Sequence, residues 1–376
     1  MRIPLIDLRA QHAAIADEVM AAVRDVVTDQ VFILGDRVAE FERRFADYVG
    51  ARHVLGVASC TDALRLALMA LGIGPGDAVI TTPFTFVASV EAIVRVGATP
   101  VFVDVDAQSV HLSPDAVAEC IRGWRGPERL RAILVVHLFG ACADTKALAE
   151  IAAAHDLRLV EDAAQALGAV RDGVGAGARG HVGAFSFFPS KTLGAWGDGG
   201  ALVTSDDAVA ARVRRLRQHG IERGRVVEIG ENSRLDALHA AVLGVKLRHL
   251  DAWIAARRAA ALRYRELLSG LEGVEFFRAL DSGTHNPFVV RVRDRDGVLS
   301  ALREQGIDAR AYYDQPIPDE PAFRTVPHHR GVLVEAEKRA RDALALPLCA
   351  NIRAEAQGEV VEALRAALSR PARPAL

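Results

Sequence analysis

A chain of 376 residues can hold a large α/β domain with a smaller companion, and 51% hydrophobic with 25% charged residues is the composition of a soluble globular protein. The formal net charge of -2 excludes bulk attraction to nucleic acid or anionic membrane. Four cysteines without a CxxC pair exclude a zinc knuckle or a disulfide framework, no run nears a membrane span, and the opening MRIPLIDLRAQ lacks a signal-peptide core, so a cytoplasmic protein is expected.

Residues 12–29 and 36–48 read as amphipathic helices, the second with Val38, Phe41, Phe45 and Val49 at helical spacing. A short strand at 53–58 runs into Ser59, Cys60, Thr61 and Asp62 and then the helical stretch ALRLALMAL. A strand, a small polar turn and a helix leave free N–H groups where a phosphate can sit, and the same residues serve equally as a plain N-cap. β-Branched runs at 78–82, 99–105, 131–140 and 157–164 alternate with helical patterns at 86–96, 114–123 and 144–155. Such alternation predicts a mostly parallel sheet covered on both faces, with ligands beyond the carboxyl ends of its strands. A GxGxxG match at Gly175, Gly177 and Gly180 leads into a strand-like run rather than a helix, so it lacks the dinucleotide-binding context.

A strand is expected at 201–205, a helix at 206–218, and one long helix over 235–268. The remainder reads as a smaller α+β unit, with a strand at 287–293 and helices near 296–305, 335–343 and 354–369. The division falls between 1–245 and 246–376, and the last six residues, PARPAL, read as a frayed end.

The segment GAFSFFPSKTLGAWGDGG, residues 183–200, sets Lys191 in unusual company. Phe185, Phe187 and Phe188 precede it, a glycine-rich turn follows, and apolar neighbours disfavour the charged form of an amine. A lysine so placed can become a nucleophile and form a Schiff base, whereas an isolated loop lysine keeps its head in water. Asp162, at the end of the apolar run 157–164, makes the pair informative. Pyridoxal phosphate needs both partners, a lysine for its aldehyde and a carboxylate against its pyridine nitrogen. The N–H groups of Cys60 and Thr61 and the hydroxyl of Ser186 are candidate phosphate holders, and Phe86 is a candidate to cover the ring.

In order and spacing, SCTDALRLAL, TTPFTFVAS with GATPVFVDVD, HLFG, VEDAAQALGA, FSFFPSKTLGAWGDGG and GENSRLDALHAA resemble the sugar aminotransferases of the DegT/DnrJ/EryC1/StrS family. The resemblance runs from about residue 3 to residue 270 and more loosely to the end. It implies a pyridoxal-phosphate enzyme of fold type I, the aspartate aminotransferase architecture: an α/β fold in which a large domain with a mostly parallel central sheet precedes a smaller C-terminal α+β domain. It implies a homodimer with shared active sites. Residue by residue, it implies that Lys191 forms the Schiff base and moves the proton, Asp162 faces the pyridine nitrogen, Gln165 touches the ring hydroxyl and Phe86 stacks on the ring. Cys60, Thr61 and Ser186 would hold the phosphate, joined by Asn232 reaching over from the other subunit.

Three departures stand out. Relatives often have glycine at the position of Cys60, a His-Tyr-Pro run where this chain has Tyr312, Tyr313 and Asp314, and glutamine at the position of His239. Tyr312 and Tyr313 are thus candidate sugar contacts, and Arg217, His219, Arg223, Arg225 and Arg234 are candidates to meet a diphosphate. The implied reaction carries an amino group from an amino acid, L-glutamate first, to a keto group of a dTDP- or UDP-linked sugar. The run NSRLD, 232–236, resembles enzymes acting on 3-keto sugars. Lys191 argues against the deoxygenating branch of the family, which carries histidine there. The alternatives are a 4-keto-sugar aminotransferase, a cyclitol or aminoshikimate-type aminotransferase or synthase, and a cofactor-binding regulatory protein without turnover. No metal, nucleic acid or membrane partner is expected.

Overall fold

The computed structural model describes residues 2–280 and 282–370, so the frayed end expected for PARPAL lies outside the described residues. The first strands are β1 (His53–Val57), β2 (Asp77–Thr81), β3 (Thr99–Phe102), β4 (Arg129–Val136) and β5 (Arg158–Asp162). A two-residue hairpin, β6 (Val170–Arg171) and β7 (Val174–Gly175), leads to β8 (Val182–Ser186) and β9 (Gly200–Thr204). A second short hairpin, β10 (Ile221–Glu222) and β11 (Arg225–Val226), precedes β12 (Val274–Phe276), β13 (Phe288–Val292), β14 (His329–Arg330) and β15 (Ala343–Leu346).

Eight strands form the main sheet in the order β1-β9-β8-β5-β4-β2-β3-β14. All neighbours from β8 to β14 run parallel, while β9 is antiparallel to both β1 and β8. Alternate residues along each strand enter opposite layers, as the two-residue pleat requires. Val79, Leu134 and Val160 pack under the helices Cys60–Ala70, Val87–Arg95 and Asp207–Leu216. Ala78, Ile80, Ile133, Val135 and Leu159 pack under Pro114–Gly123 and Thr145–Ala154. Val54, Phe185, Ala201 and Val203 meet the helices Asp36–Val49 and Ala237–Leu247.

The single antiparallel strand decides where the site lies. β9 returns beside β8, so the loop between them begins and ends at the edge where the parallel strands finish. β1, antiparallel to β9, delivers Ser59 and Cys60 to that same edge, and β5 delivers Asp162. The end of β8 is pinned from behind by edge-on rings: Phe41 on Phe187 at 5.4 Å and Phe45 on Phe185 and Phe187 at 5.3 Å. Each such pair adds about 0.5–1.5 kcal/mol beyond its buried area.

The smaller antiparallel sheet, β12-β13-β15, packs on the helices Arg295–Glu304 and Ala354–Leu368. The long helix expected at 235–268 is instead two, Ala237–Leu247 and Leu250–Leu268. At the break, Arg248 N–H and His249 N–H bond to carbonyls three residues back, Val245 and Lys246, which tightens the turn and interrupts the α-helix. The second helix joins two cores: Leu250 and Ile254 pack with the main sheet's layer, Ala260, Ala261, Tyr264 and Leu268 with the small sheet. The expected helix at 12–29 is also divided, into Arg9–Ala13 and Ala16–Asp29. The expected strand 131–140 ends at Val136, because the chain turns at Leu138–Gly140 with Phe139 and Gly140 at φ 59° and 92°. Only glycine fits at 140, where a Cβ would lie 2.8 Å from His285 N and Thr284 Oγ1 of the crossing 284–287 loop. Among the described residues, no helix is long and apolar enough to cross a membrane.

Candidate active site

A cavity of about 440 Å³ opens at the carboxyl edge of the main sheet. Cys60, Thr61, Phe86, Asp162, Gln165, Ser186, Lys191, Tyr312 and Tyr313 all line it, so nine of the sequence candidates converge on one place. They arrive from separate strand ends and loops.

Lys191 stands on the β8–β9 loop, in a turn closed by Lys191 N–H to Phe188 O at 2.8 Å and Ala195 N–H to Phe187 O at 2.7 Å. Asn286 Nδ2 holds Thr192 Oγ1 at 3.1 Å from one side, and the buried Lys246 ammonium hydrogen-bonds the Gly194 carbonyl from the other. Burial pushes the Lys191 amine below the ordinary lysine value, opposed by the nearby Cys60 and Asp162. That is the environment an amine nucleophile needs.

Asp162 is buried at the end of β5, and both its oxygens accept hydrogen bonds from the protein: Oδ1 from Ala164 N–H at 3.1 Å, Oδ2 from the Ser89 hydroxyl at 2.7 Å. Gln165 is oriented by its own contacts. Its Oε1 accepts the Phe139 N–H at 2.6 Å, so its Nε2 points toward Tyr313 Oη, 3.5 Å away, and offers N–H donors to the cavity. Burial pushes the Tyr313 phenol well above its ordinary value and keeps it protonated.

Cys60 and Thr61 begin the helix Cys60–Ala70, where the first N–H groups have no intrahelical acceptor. Ser59 caps it, taking the Asp62 N–H at 3.1 Å. β9 lies close against this start. A Cβ at Gly200 would be 2.4 Å from the carbonyl carbon of Ser59 and 2.6 Å from Cys60 N, so the cradle requires glycine there. An amine lowered by burial, a carboxylate, an oriented amide and an anion-ready helix start fit pyridoxal phosphate in kind.

Six candidates lie outside this cavity. Arg217 is corrected from substrate contact to packing: it is buried, with Nη1 2.6 Å from Glu42 Oε1 and 2.8 Å from Gly56 O. His219, at φ 62°, bonds its N–H to Glu231 O at the base of the β10–β11 hairpin. Asn232 is exposed and forms a bridge with Gln218, and Arg234 follows it, half-buried. Arg223 and Arg225 are exposed on the hairpin itself. Sequence reasoning missed Leu5, Ile6, Thr85, Asp198, Asn286 and Pro287, which also line the cavity. Thr85 and Asp198 stand inside the motifs quoted for the resemblance, whereas Leu5, Ile6 and the 286–287 loop carry no local signal.

Residues 13–365 match the DegT/DnrJ/EryC1/StrS aminotransferase family. The chain is 41% identical over 367 residues to a pleiotropic regulatory protein of Geobacillus stearothermophilus, covering 96% of this chain and 97% of the relative. It is likewise 41% identical over 367 residues to a dTDP-3-amino-3,4,6-trideoxy-alpha-D-glucose transaminase of Streptomyces venezuelae, covering 97% and 96%. The crystal structure of S. venezuelae DesV in complex with a ketimine intermediate superposes with a TM-score of 0.92 at 40% identity, covering 98% of this chain and 99% of that one. The α/β architecture is therefore the fold type I arrangement expected from the sequence, and the chain belongs to the DegT/DnrJ/EryC1/StrS aminotransferase family.

Proposed function

We propose that this chain is a pyridoxal-phosphate-dependent aminotransferase acting on a dTDP- or UDP-linked 3-keto sugar, with L-glutamate as amino donor. One observation carries the reading: the amine of Lys191, the carboxylate of Asp162 and the start of the helix Cys60–Ala70 meet in a single cavity. When bound there, the cofactor supplies an electron sink for breaking and making a bond from carbon to hydrogen. The chain's own groups supply the rest. Lys191, its amine lowered by burial, takes the proton from Cα of the donor and delivers a proton to the keto carbon of the acceptor in the return half. Asp162 faces the ring nitrogen, Gln165 donates from Nε2 to the ring oxygen, and the N–H groups of Cys60 and Thr61 with the Ser186 hydroxyl receive the phosphate. Phe86 covers the ring, and Tyr312 and Tyr313 wall the side where the sugar enters.

Asn232, exposed and outside its own chain's cavity, is assigned to the phosphate held by the partner in a homodimer. His219 and Arg234 are assigned to the nucleotide diphosphate on the same grounds. We take 1–245 as the cofactor-bearing domain and 246–376 as the smaller one, joined by the helix Leu250–Leu268, and a cytoplasmic site of action suits four free cysteines. The choice of ring carbon draws on the run NSRLD and on the 3-amino product named for the Streptomyces relative.

The test is a two-stage incubation. L-Glutamate should bleach the cofactor's visible absorption band, and a nucleotide-linked 3-keto sugar should restore it, with NMR placing the new amine at C3. The name of the Geobacillus relative favours a second reading, a cofactor-binding regulator without turnover. A band that resists every amino donor supports that second reading and contradicts the first.

A further inference from the structure

Asp162 is held by more than its own strand. Its carboxylate group has about four lone-pair positions. On Oδ1 they face the Ala164 N–H at 3.1 Å and the Cys60 thiol at 3.9 Å. On Oδ2 one takes the Ser89 hydroxyl at 2.7 Å, which leaves a single open position on the same oxygen. Ser89 lies in the first turn of the helix Val87–Arg95 and is completely buried. Thr85 Oγ1, also buried, is 3.1 Å from Ser89 Oγ, and Thr85 borders the cavity.

The direction of this chain follows from counting protons. A serine hydroxyl carries one proton. It is spent on Asp162, so the proton between Thr85 and Ser89 belongs to Thr85. The order is Thr85 to Ser89 to Asp162, with each hydroxyl fixed by the next. We infer that Ser89 is a positioning residue for the reaction: through its hydrogen bond to Oδ2 it sets the rotation of the Asp162 carboxyl and leaves one lone pair aimed at the ring nitrogen, while Thr85 orients Ser89. The inference rests on the reading that Asp162 faces that nitrogen.

Removing the Ser89 hydroxyl frees Asp162 to turn and leaves Oδ2 and the Thr85 proton each without a partner. A buried hydrogen bond to a carboxylate is worth about tenfold to a hundredfold in an equilibrium. The experiment compares the equilibrium affinity of the apoprotein for pyridoxal 5'-phosphate, the pH dependence of the bound cofactor's visible band, and the apoprotein Tm. The proteins are wild type, Ser89→Ala, Ser89→Thr, Thr85→Val and Asp162→Ala. Ser89→Ala should weaken cofactor binding about tenfold or more and displace the band's pH profile. Ser89→Thr, which keeps the hydroxyl, should restore both to within about threefold, and Thr85→Val should shift them in the same direction by less.

A purely structural hydroxyl would lower the apoprotein Tm and leave affinity and pH profile alone, and that result overturns the inference. So does equal loss in Ser89→Ala and Ser89→Thr, which would make packing the cause. If Ser89→Ala binds as wild type does while Asp162→Ala fails, the inference falls and the role of Asp162 stands. If Asp162→Ala also binds and absorbs as wild type does, the role of Asp162 itself is refuted. Should Ser89→Ala not fold, Ser89→Cys, nearly isosteric but a weak donor, must still show weakened affinity; wild-type affinity there counts against the proposal.

Discussion

His137 Nε2 lies 2.8 Å from Glu161 Oε2 with both side chains fully buried, one residue before Asp162 on the same strand end. His137 Nδ1 accepts the Ala143 N–H at 3.0 Å, which puts the ring proton on Nε2 and makes the histidine a donor to the carboxylate. Glu161 also accepts the backbone N–H groups of Gly177 at 3.1 Å and Arg179 at 2.8 Å, and that of Gly180. The GxGxxG run thus wraps a carboxylate of its own chain, on which the N–H groups of Gly177, Arg179 and Gly180 are spent. Burial raises the Glu161 carboxyl, but the bonds from His137, Gly180 and Gly177 outweigh it and hold it below the ordinary glutamate value.

Glu161→Gln should therefore cost at least about 1–3 kcal/mol in urea unfolding, because its amide N–H₂ must meet either the His137 and Gly177 donors or the Arg179 and Gly180 donors. The sign of the pH effect follows from the lowered carboxyl. Its stabilisation is complete above the unfolded value of about 4.3 and is lost as pH falls through the lower folded value. The gap between wild type and variant should narrow only in that acid range.

Lys246 gives a prediction on the alkaline side. It is 1% exposed, and burial pushes its amine down to about 8. Between about pH 8 and about pH 10.4 the unfolded chain binds the proton and the folded chain does not, so stability rises with pH there by up to about 3 kcal/mol. Lys246→Met should abolish that rise, as denaturant midpoints measured across the interval would report. A rise that survives in the variant would assign it to another group.

Gly200→Ala tests the phosphate cradle. The added methyl meets Ser59 and Cys60 backbone at 2.4 and 2.6 Å, and overpacking of this kind costs about 1–3 kcal/mol. Because the strain falls on the start of the helix Cys60–Ala70, cofactor affinity should drop at least about tenfold, measured by titration of the apoprotein. Unchanged affinity would separate that helix start from the phosphate.

Arg217→Ala tests the correction made by the structure. It leaves Glu42, whose side chain is 16% exposed, without its ion-pair partner and should cost about 3–5 kcal/mol of stability. The KM for the nucleotide sugar should stay as in wild type wherever the variant is folded. A selective rise in KM at unchanged stability would return Arg217 to the substrate.

The contrast between Arg217 and Lys191 shows what the sequence could carry. Lys191, Asp162, Cys60 and Ser186 were legible because strand ends and short motifs fix them to one edge of the sheet, and the alternating pattern predicts that edge. Arg217 looked free because its partner Glu42 is 175 residues away, and no local pattern records a pairing so distant. The break at Arg248–His249 was hidden for a similar reason. Helical periodicity continues on both sides, and the second helix joins two cores that meet only in three dimensions. Ser89 and Thr85 stood inside a quoted motif, yet a hydroxyl in a helix carries no sign of the carboxylate above it until the strands are assembled.

The central claim is that Lys191 carries the cofactor, and the chain makes this simple to test because it has only four lysines, Lys146, Lys191, Lys246 and Lys338. Borohydride reduction of the holoenzyme, followed by proteolysis and mass spectrometry, fixes the cofactor to the lysine that holds it. The label should sit on the peptide containing Lys191, in proportion to the visible band lost, and Lys191→Ala should remain folded with neither label nor band. Label on Lys146, Lys246 or Lys338, or a wild-type band in Lys191→Ala, would contradict the assignment.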